Sequence, residues 1–463
     1  MNSLRSTGGL RSELYAYFPR LAIQFLAAIL AASCMFGMAS LPLPSHYSKF
    51  GLTRDWIPPV WLFILLAISG CMVLVAPIKP WIGCLGYTLL LRTVSRYSAE
   101  FAWLHRTHAI ECHLILILVG WILWRLFENR KRNLVKSWQF WFSCSFLLWI
   151  VCVEINARLS TSPVDVFVFY GPVRAATAVL FLIVGFDCIR RPIEVVWFAI
   201  VVGVGLAIRG FLFLDRAHLD GDFAVLLVTV LPLIMLSSIY RPPILTVGFS
   251  VVCGIAFVYL LAVTENRGGA IGALLSMIAI CLVVPWRFVL VTVSILVGTA
   301  GSILYLQPSY WKRFSDIWNN GESALSFTKR FEIWNVNFEL IQNNWVFGTG
   351  FGRSGILVAQ LDKSIGRLNA HNSWIAMLSE GGLLGLLLYV VLFSISIHVA
   401  FKLSHKASAR DIRWFGVAAF SSFMAYFGIS IGLAREFYEF SYFLGGAVLS
   451  IHYDESPIAE KRP

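Results

Sequence analysis

The chain has 463 residues, 58% of them hydrophobic and 13% charged, with a formal net charge of +12. A soluble domain carries about 25% charged residues, so this composition leaves too much apolar surface for a water-facing globule and calls for lipid around the outside. The positive charge does not point to nucleic acid, because the basic residues are scattered over short loops and form no stripe; it suits anionic headgroups and an anionic substrate, and arginine pairs with phosphate in a bidentate way.

In chain order, Arg5, Arg11 and Arg20 precede the first apolar run, which reads as a first spanning helix rather than a removed leader. A span needs about 20 apolar residues. Runs of that kind fall near 21–39, 56–78, 81–92, 109–127, 138–154, 171–188, 193–208, 222–240, 243–263, 268–285, 287–306, 372–400, 414–434 and 440–452. Those at 81–92 and 440–452 are short and read as tilted spans or parts of irregular ones. The expected fold is therefore all-α, a polytopic helical membrane bundle of about 12–14 transmembrane helices. Its expected organisation is a bundle over 1–306, a loop over 307–371, further spans over 372–452 and a tail over 453–463. The nine cysteines lie in or at apolar segments without zinc-site spacing, and read as small packing residues.

Loop charge sets the orientation. Arg130, Lys131, Arg132 and Lys136, the pair Arg190–Arg191, the segment 402–413 and both termini all fall on one side when spans are counted, and that side is read as cytoplasmic. The same count puts the single long loop, 307–371, on the outer face, the periplasm of a bacterium. Its Lys312, Arg313, Lys329, Arg330, Arg353, Lys363 and Arg367 run against the usual bias. A bound anion explains basic charge held there; so does the freedom of long loops from the rule. Within the loop, Phe327, Phe331, Trp334, Phe338 and Ile341 recur at spacings of four and three, the mark of a short amphipathic helix at the membrane surface. Arg330 and Asn337 lie beside that stripe. The glycines of 346–355 lack a surrounding βαβ unit and read as a sharp, close-packed turn rather than a dinucleotide loop.

Three outer-side features carry potential chemistry. In 264–269, Arg267 stands at the mouth of a span that begins with Gly268, Gly269, Ala270, Gly272 and Ala273. Small residues spaced by four let helices approach. An arginine at a helix start opposes the dipole, and makes sense if an anion binds there too. In 329–334, Lys329 and Arg330 alone read as basic residues snorkelling from an interfacial helix. In 370–374, Asn372 or Ser373 can cap the next helix, leaving His371 just outside its start. Most lone histidines are structural; here, nearby arginine charge favours the neutral imidazole a general base needs. His371 and Glu380 are nine residues apart, about 13 Å along a helix, and should not pair.

These pieces together resemble the O-antigen ligase and O-antigen polymerase family. The resemblance is carried by TENRGG at 264–269, KRFEIW at 329–334, VFGTGFG at 346–352 and AHNSWIAMLSEGGLLG at 370–385, with the stretch from Leu219 to Leu233 ahead of them. It covers roughly 200–400. It implies a polysaccharide or repeat-unit donor on undecaprenyl pyrophosphate, and an acceptor hydroxyl, on lipid A–core or a growing glycan, that attacks the anomeric carbon with inversion at the periplasmic face of the inner membrane. It also implies His371 as base, Arg267 and Arg330 as pyrophosphate ligands with Arg209 or Arg216 joining them, and Asn372 and Gly268 in support. No acidic cluster with metal-ligand spacing is seen: Asp316, Glu322, Glu332 and Asp362 are spread out. No cofactor and no metal are expected. Ligase-type members often carry a basic residue before the first glycine of the turn after the histidine; Glu380 stands there instead and leans toward polymerase-like members, including exopolysaccharide polymerases.

A transporter and a non-catalytic assembly partner are the rival readings. A transporter places charges at mid-span, whereas polar residues here gather on the outer side.

Overall fold

The computed structural model describes residues 19–29, 58–94, 103–104, 108–128, 134, 137–160, 170–212, 222–236, 267–284, 324–366, 368, 370–432 and 438–455. The expected spans at 243–263 and 287–306 and the residue Arg216 lie outside them. Among the described residues the chain is all helical, with fourteen helices of eight residues or more and no strand. These are α1 (Pro19–Ile29), α2 (Val60–Leu74), α3 (Pro80–Thr93), α4 (Ala109–Phe127), α5 (Trp138–Ser160), α6 (Tyr170–Cys188), α7 (Pro192–Leu212) and α8 (Asp222–Leu236). They continue with α9 (Arg267–Val283), α10 (Ala324–Asn343), α11 (Ser354–Leu361), α12 (Ser373–Lys406), α13 (Arg410–Gly432) and α14 (Glu439–Glu455). Six of them, α4, α5, α6, α7, α12 and α13, are long and apolar enough to cross a bilayer. The protein is a polytopic helical membrane protein.

The helices group into two compact units, Met1–Arg132 with Val204–Asp220, and Asn133–Gly203 with Gly221–Pro463. In the first, α2 and α3 form a hairpin through a turn over 75–78, with Pro80 at the first helical position, where its missing N–H leaves no bond unmade. Gly86 lets α3 close on the Ser69 carbonyl of α2. Gln24 of α1 donates its amide to Val73 O (3.2 Å) and Leu116 O (2.8 Å), tying α2 to α4. An intramembrane histidine is a functional candidate by default, but His113 is satisfied locally: Nδ1 meets Ala109 O at 2.7 Å and Nε2 meets Ser69 Oγ at 3.1 Å. Ile115, Leu118, Ile122 and Leu126 leave one side of α4 exposed to lipid.

In the second unit α14 is the central helix, buried at every position from Glu439 to Ile451. Its short run reflects that position: a helix wrapped by protein needs no lipid-facing apolar stripe. Gly185 and Gly446 bring α6 and α14 into backbone contact, since a Cβ on either would strike the partner's carbonyls at Phe443 and Leu182. Phe198 of α7 stacks on Phe443 with centroids 4.0 Å apart. Antiparallel to α13, α9 packs through Gly272 on Gly428 and through Ser276 Oγ on Ser421 Oγ at 2.7 Å.

One end of this unit gathers the α6–α7 turn and the end of α14, where Ser450 Oγ donates to Ile189 O and Lys402 and His398 lie within electrostatic reach of His452. Arg190, Arg191 and the basic end of α12 therefore share an end. The opposite end holds the starts of α6, α9 and α12 and the end of α13.

One expectation needs correcting. The span read at 372–400 is two helices that meet at a kink, because Gly382 (φ 67°, ψ −173°) breaks α12 into a short half, 373–381, and a longer half, 383–406. Those dihedrals are open to glycine alone.

Candidate active site

The start of α12 is capped by Asn372, whose Oδ1 accepts from the backbone N–H of Trp374 (2.9 Å) and Ile375 (3.1 Å). The same side chain donates from Nδ2 to Ile431 O of α13 at 3.2 Å. On the other side of His371, the Ala370 carbonyl accepts the indole N–H of Trp334 at 2.6 Å. His371 thus sits between two anchored residues, and its backbone lies in the left-handed region at φ 48°. A non-glycine residue stays there only where its surroundings hold it, and such strain gathers at functional sites.

Trp334 is on α10, one turn after Arg330, so the bond to Ala370 brings Arg330's helix against the residue before His371. The buried face of α10 is Ile333, Asn337 and Leu340, which Arg330 shares by spacing. Phe331 and Phe338 are each 45% exposed, as an interfacial helix requires, while Trp334 of the same stripe turns inward to Ala370. The side chains of Phe327 and Lys329 lie outside the description.

Arg267 opens α9, and its side chain is also outside the described residues. Its level is set by the backbone. Gly272 packs against Ala425, Gly428 and Ile429 of antiparallel α13, so the first turn of α9, with Gly268 and a buried Gly269, runs level with the end of α13 where Asn372 is tied. His371, Arg330 and the start of α9 therefore occur at one end of one unit. Arg209 is a buried residue in the last turn of α7, within the first unit.

Behind this rim lies a knot. Gly348, Gly350 and Gly352 all have positive φ (70°, 97° and 79°). Their turn supplies donors for the carbonyls left over where the short half of α12 ends: Thr349 N–H to Ser379 O (2.8 Å) and Gly350 N–H to Glu380 O (3.0 Å). Trp149 of α5 caps a third, donating Nε1 to Gly381 O at 2.8 Å, and stacks on Phe347. The buried Glu380 carboxylate accepts from Gly352 N–H (2.9 Å) and from Ser354 Oγ (2.6 Å). Arg353, also buried, donates to Ala157 O (3.0 Å) and pairs with Glu154 of α5 at 3.2 Å. Glu154 in turn holds Arg158 at 2.8 Å. Asp362, past the end of α11, is held below the usual carboxylate range by bonds from the Ser364 hydroxyl and amide. Among the described residues no three His, Cys, Asp or Glu side chains gather as a metal site would need.

Residues 249–390 match the family model described as O-antigen ligase. Over that segment the chain is similar to the O-antigen ligase and polymerase family. No curated protein matches it. The O-antigen ligase region takes in Arg267, Arg330, the glycine turn, His371 and the break of α12, while Arg209 and Arg216 precede it. A small recess of about 10 Å³, lined by Trp138, Phe142, Leu182, Phe186, Leu392 and Leu449 among others, lies toward the opposite end and presents no ionisable side chain.

Sequence reasoning passed over three residues of this candidate site: Glu380 as a buried hydrogen-bond hub, Arg353 as a buried ion pair, and Trp149 as a helix cap. For Glu380 the signal was present, since a carboxylate between a serine and two glycines inside an apolar run has to be satisfied by something. For Arg353 and Trp149 no local signal exists, because their partners lie 199 and 232 residues away.

Proposed function

We propose that the chain is an inverting, metal-independent glycosyltransferase. In this reading it moves O-antigen or a related polysaccharide from undecaprenyl pyrophosphate to a sugar hydroxyl of lipid A–core, at the periplasmic face of the bacterial inner membrane, with both termini cytoplasmic. His371 takes the proton of the acceptor hydroxyl. The freed oxygen attacks the anomeric carbon from the face opposite the diphosphate, and the carbon–oxygen bond to the diphosphate breaks with its electron pair. Arg267 and Arg330 hold the charge that grows on the leaving diphosphate. Preorganised donors aimed at developing charge in a partly dry site supply the largest share of such rate enhancements. A positioned base adds about 10²–10⁴-fold. Asn372 supports the imidazole and Gly268 opens the start of α9 to the anion.

The observation that carries this reading is the bond from Trp334 to Ala370, which holds the helix of Arg330 against the residue preceding a left-handed His371. A repeat-unit polymerase of the same family, for O-antigen or exopolysaccharide, is the second reading. It is favoured by Glu380, which stands where ligase-type relatives often carry a basic residue.

The test is transfer by purified protein. His371→Ala protein is expected to fold and insert yet to lose transfer, and full transfer by that variant would remove the base assignment. A chelator should leave the rate unchanged. Deletion followed by a gel of surface glycans separates the two readings. Lipid-linked polymer building up with bare lipid A–core indicates a ligase, and single repeat units on lipid A–core indicate a polymerase.

A further inference from the structure

We infer that Glu380 is a positioning residue for transfer: its buried carboxylate, acting through the glycine turn, fixes the angle at which the half-helix 373–381 presents His371. The inference rests on the transferase reading.

The half-helix is anchored at both ends but by unlike means. At its start, Asn372 and Ala370 hold the backbone around His371. At its end, the carbonyls of Ser379, Glu380 and Gly381 would be orphaned by the break at Gly382, and they are met by Thr349, Gly350 and Trp149. That arrangement exists only while the turn keeps its shape, and three left-handed glycines give the turn no stiffness of their own. Glu380 supplies the stiffness. One carboxylate oxygen takes Gly352 N–H and the other takes Ser354 Oγ, so one side chain of the half-helix closes the turn and ties it to the first residue of α11. A carboxylate at that helix start is also favoured by the dipole.

The leverage is geometric. From Gly381 back to His371 is roughly 15 Å of helix, so a tilt of about 4° at the break moves the imidazole by about 1 Å. A misplacement of that size lowers a rate by on the order of 100-fold.

The experiment compares purified wild type, Glu380→Gln, Glu380→Ala, Ser354→Ala and the Glu380→Ala/Ser354→Ala double variant in lipid vesicles with lipid-linked donor. The expected result is a fall in kcat of about ten- to a hundredfold for Glu380→Ala with donor KM within about threefold, a smaller fall for Glu380→Gln and Ser354→Ala, and no further loss in the double variant. Arg330→Ala, by contrast, should raise donor KM. Wild-type kcat in folded Glu380→Ala, or a loss confined to KM, overturns the inference; if Glu380→Ala does not fold, Glu380→Gln and Ser354→Ala decide by the same criterion. An inactive wild type overturns the transferase reading instead. Hydrogen exchange then decides the positioning claim alone: amides of 348–352 and 373–377 should exchange faster together in Glu380→Gln, and unchanged exchange at 373–377 overturns it.

Discussion

The indole N–H of Trp334 donates to the carbonyl of Ala370 at 2.6 Å, across 36 residues of chain. Ala370 is fully buried and adjoins His371, so the bond fixes the backbone on which the imidazole hangs. It also defines how far α10 stands from the start of α12. Replacing Trp334 with Phe keeps a ring and removes the donor, leaving a buried carbonyl unpaired at a cost of about 1–3 kcal/mol. Transfer by purified Trp334→Phe is expected to fall about tenfold, with normal insertion and a lower Tm. An unchanged rate would mean that the indole only packs.

Asn372 does two jobs with one side chain, and two substitutions separate them. Asn372→Ser restores a cap for Trp374 and Ile375 but is too short to reach Ile431, whereas Asn372→Ala loses both functions. Loss of a helix cap alone costs about 1 kcal/mol. Both Tm and transfer rate should rank wild type above Asn372→Ser, and that above Asn372→Ala.

The two arginines assigned to the diphosphate should differ from their lysine replacements. Arg267→Ala and Arg330→Ala are expected to raise the donor concentration needed for half-maximal rate while leaving acceptor KM alone. Arg→Lys should recover only part of the loss, since an ammonium cannot bind phosphate oxygens as a planar fork. Full rescue by lysine would reduce the guanidiniums to plain charge.

Gly382 and Gly70 form a matched pair for stability. At Gly382 a Cβ would fall on the Val346 carbonyl, and the backbone conformation is closed to other residues; Gly382→Ala should cost about 2–4 kcal/mol, seen as a lowered Tm and yield. Around Gly70, in the middle of α2, a Cβ would meet nothing within 4 Å. Gly70→Ala is expected to be neutral or to stabilise by about 0.5–1 kcal/mol.

Local patterns carried much of this architecture. Apolar runs gave the six long helices and the amphipathic α10, because span length and helical period are written in consecutive residues. Asn372 was readable as a cap and 346–355 as a tight turn for the same reason. The Ser379–Gly382 stretch marked a weak point in the apolar run, but that Gly382 breaks the helix follows from its meeting with Val346, which lies 36 residues away. The Arg353–Glu154 pair was hidden because it joins segments 199 residues apart, and no periodicity reports such a pairing; at Glu380 a carboxylate inside an apolar run signalled a need for partners without naming them. The candidate site was legible only as a set of residue types, and the scaffold around them was not.

The central α14 has no flank turned to lipid, with Ser441, Gly445, Gly446 and Ser450 all packed against protein. Such a helix owes its residence in the bilayer to the walls of a slot formed by α6 and its neighbours, not to partitioning of its own surface. Enlarging Gly446, which abuts the Leu182 carbonyl, is therefore expected to push α14 out of that slot, seen as a lowered Tm and yield.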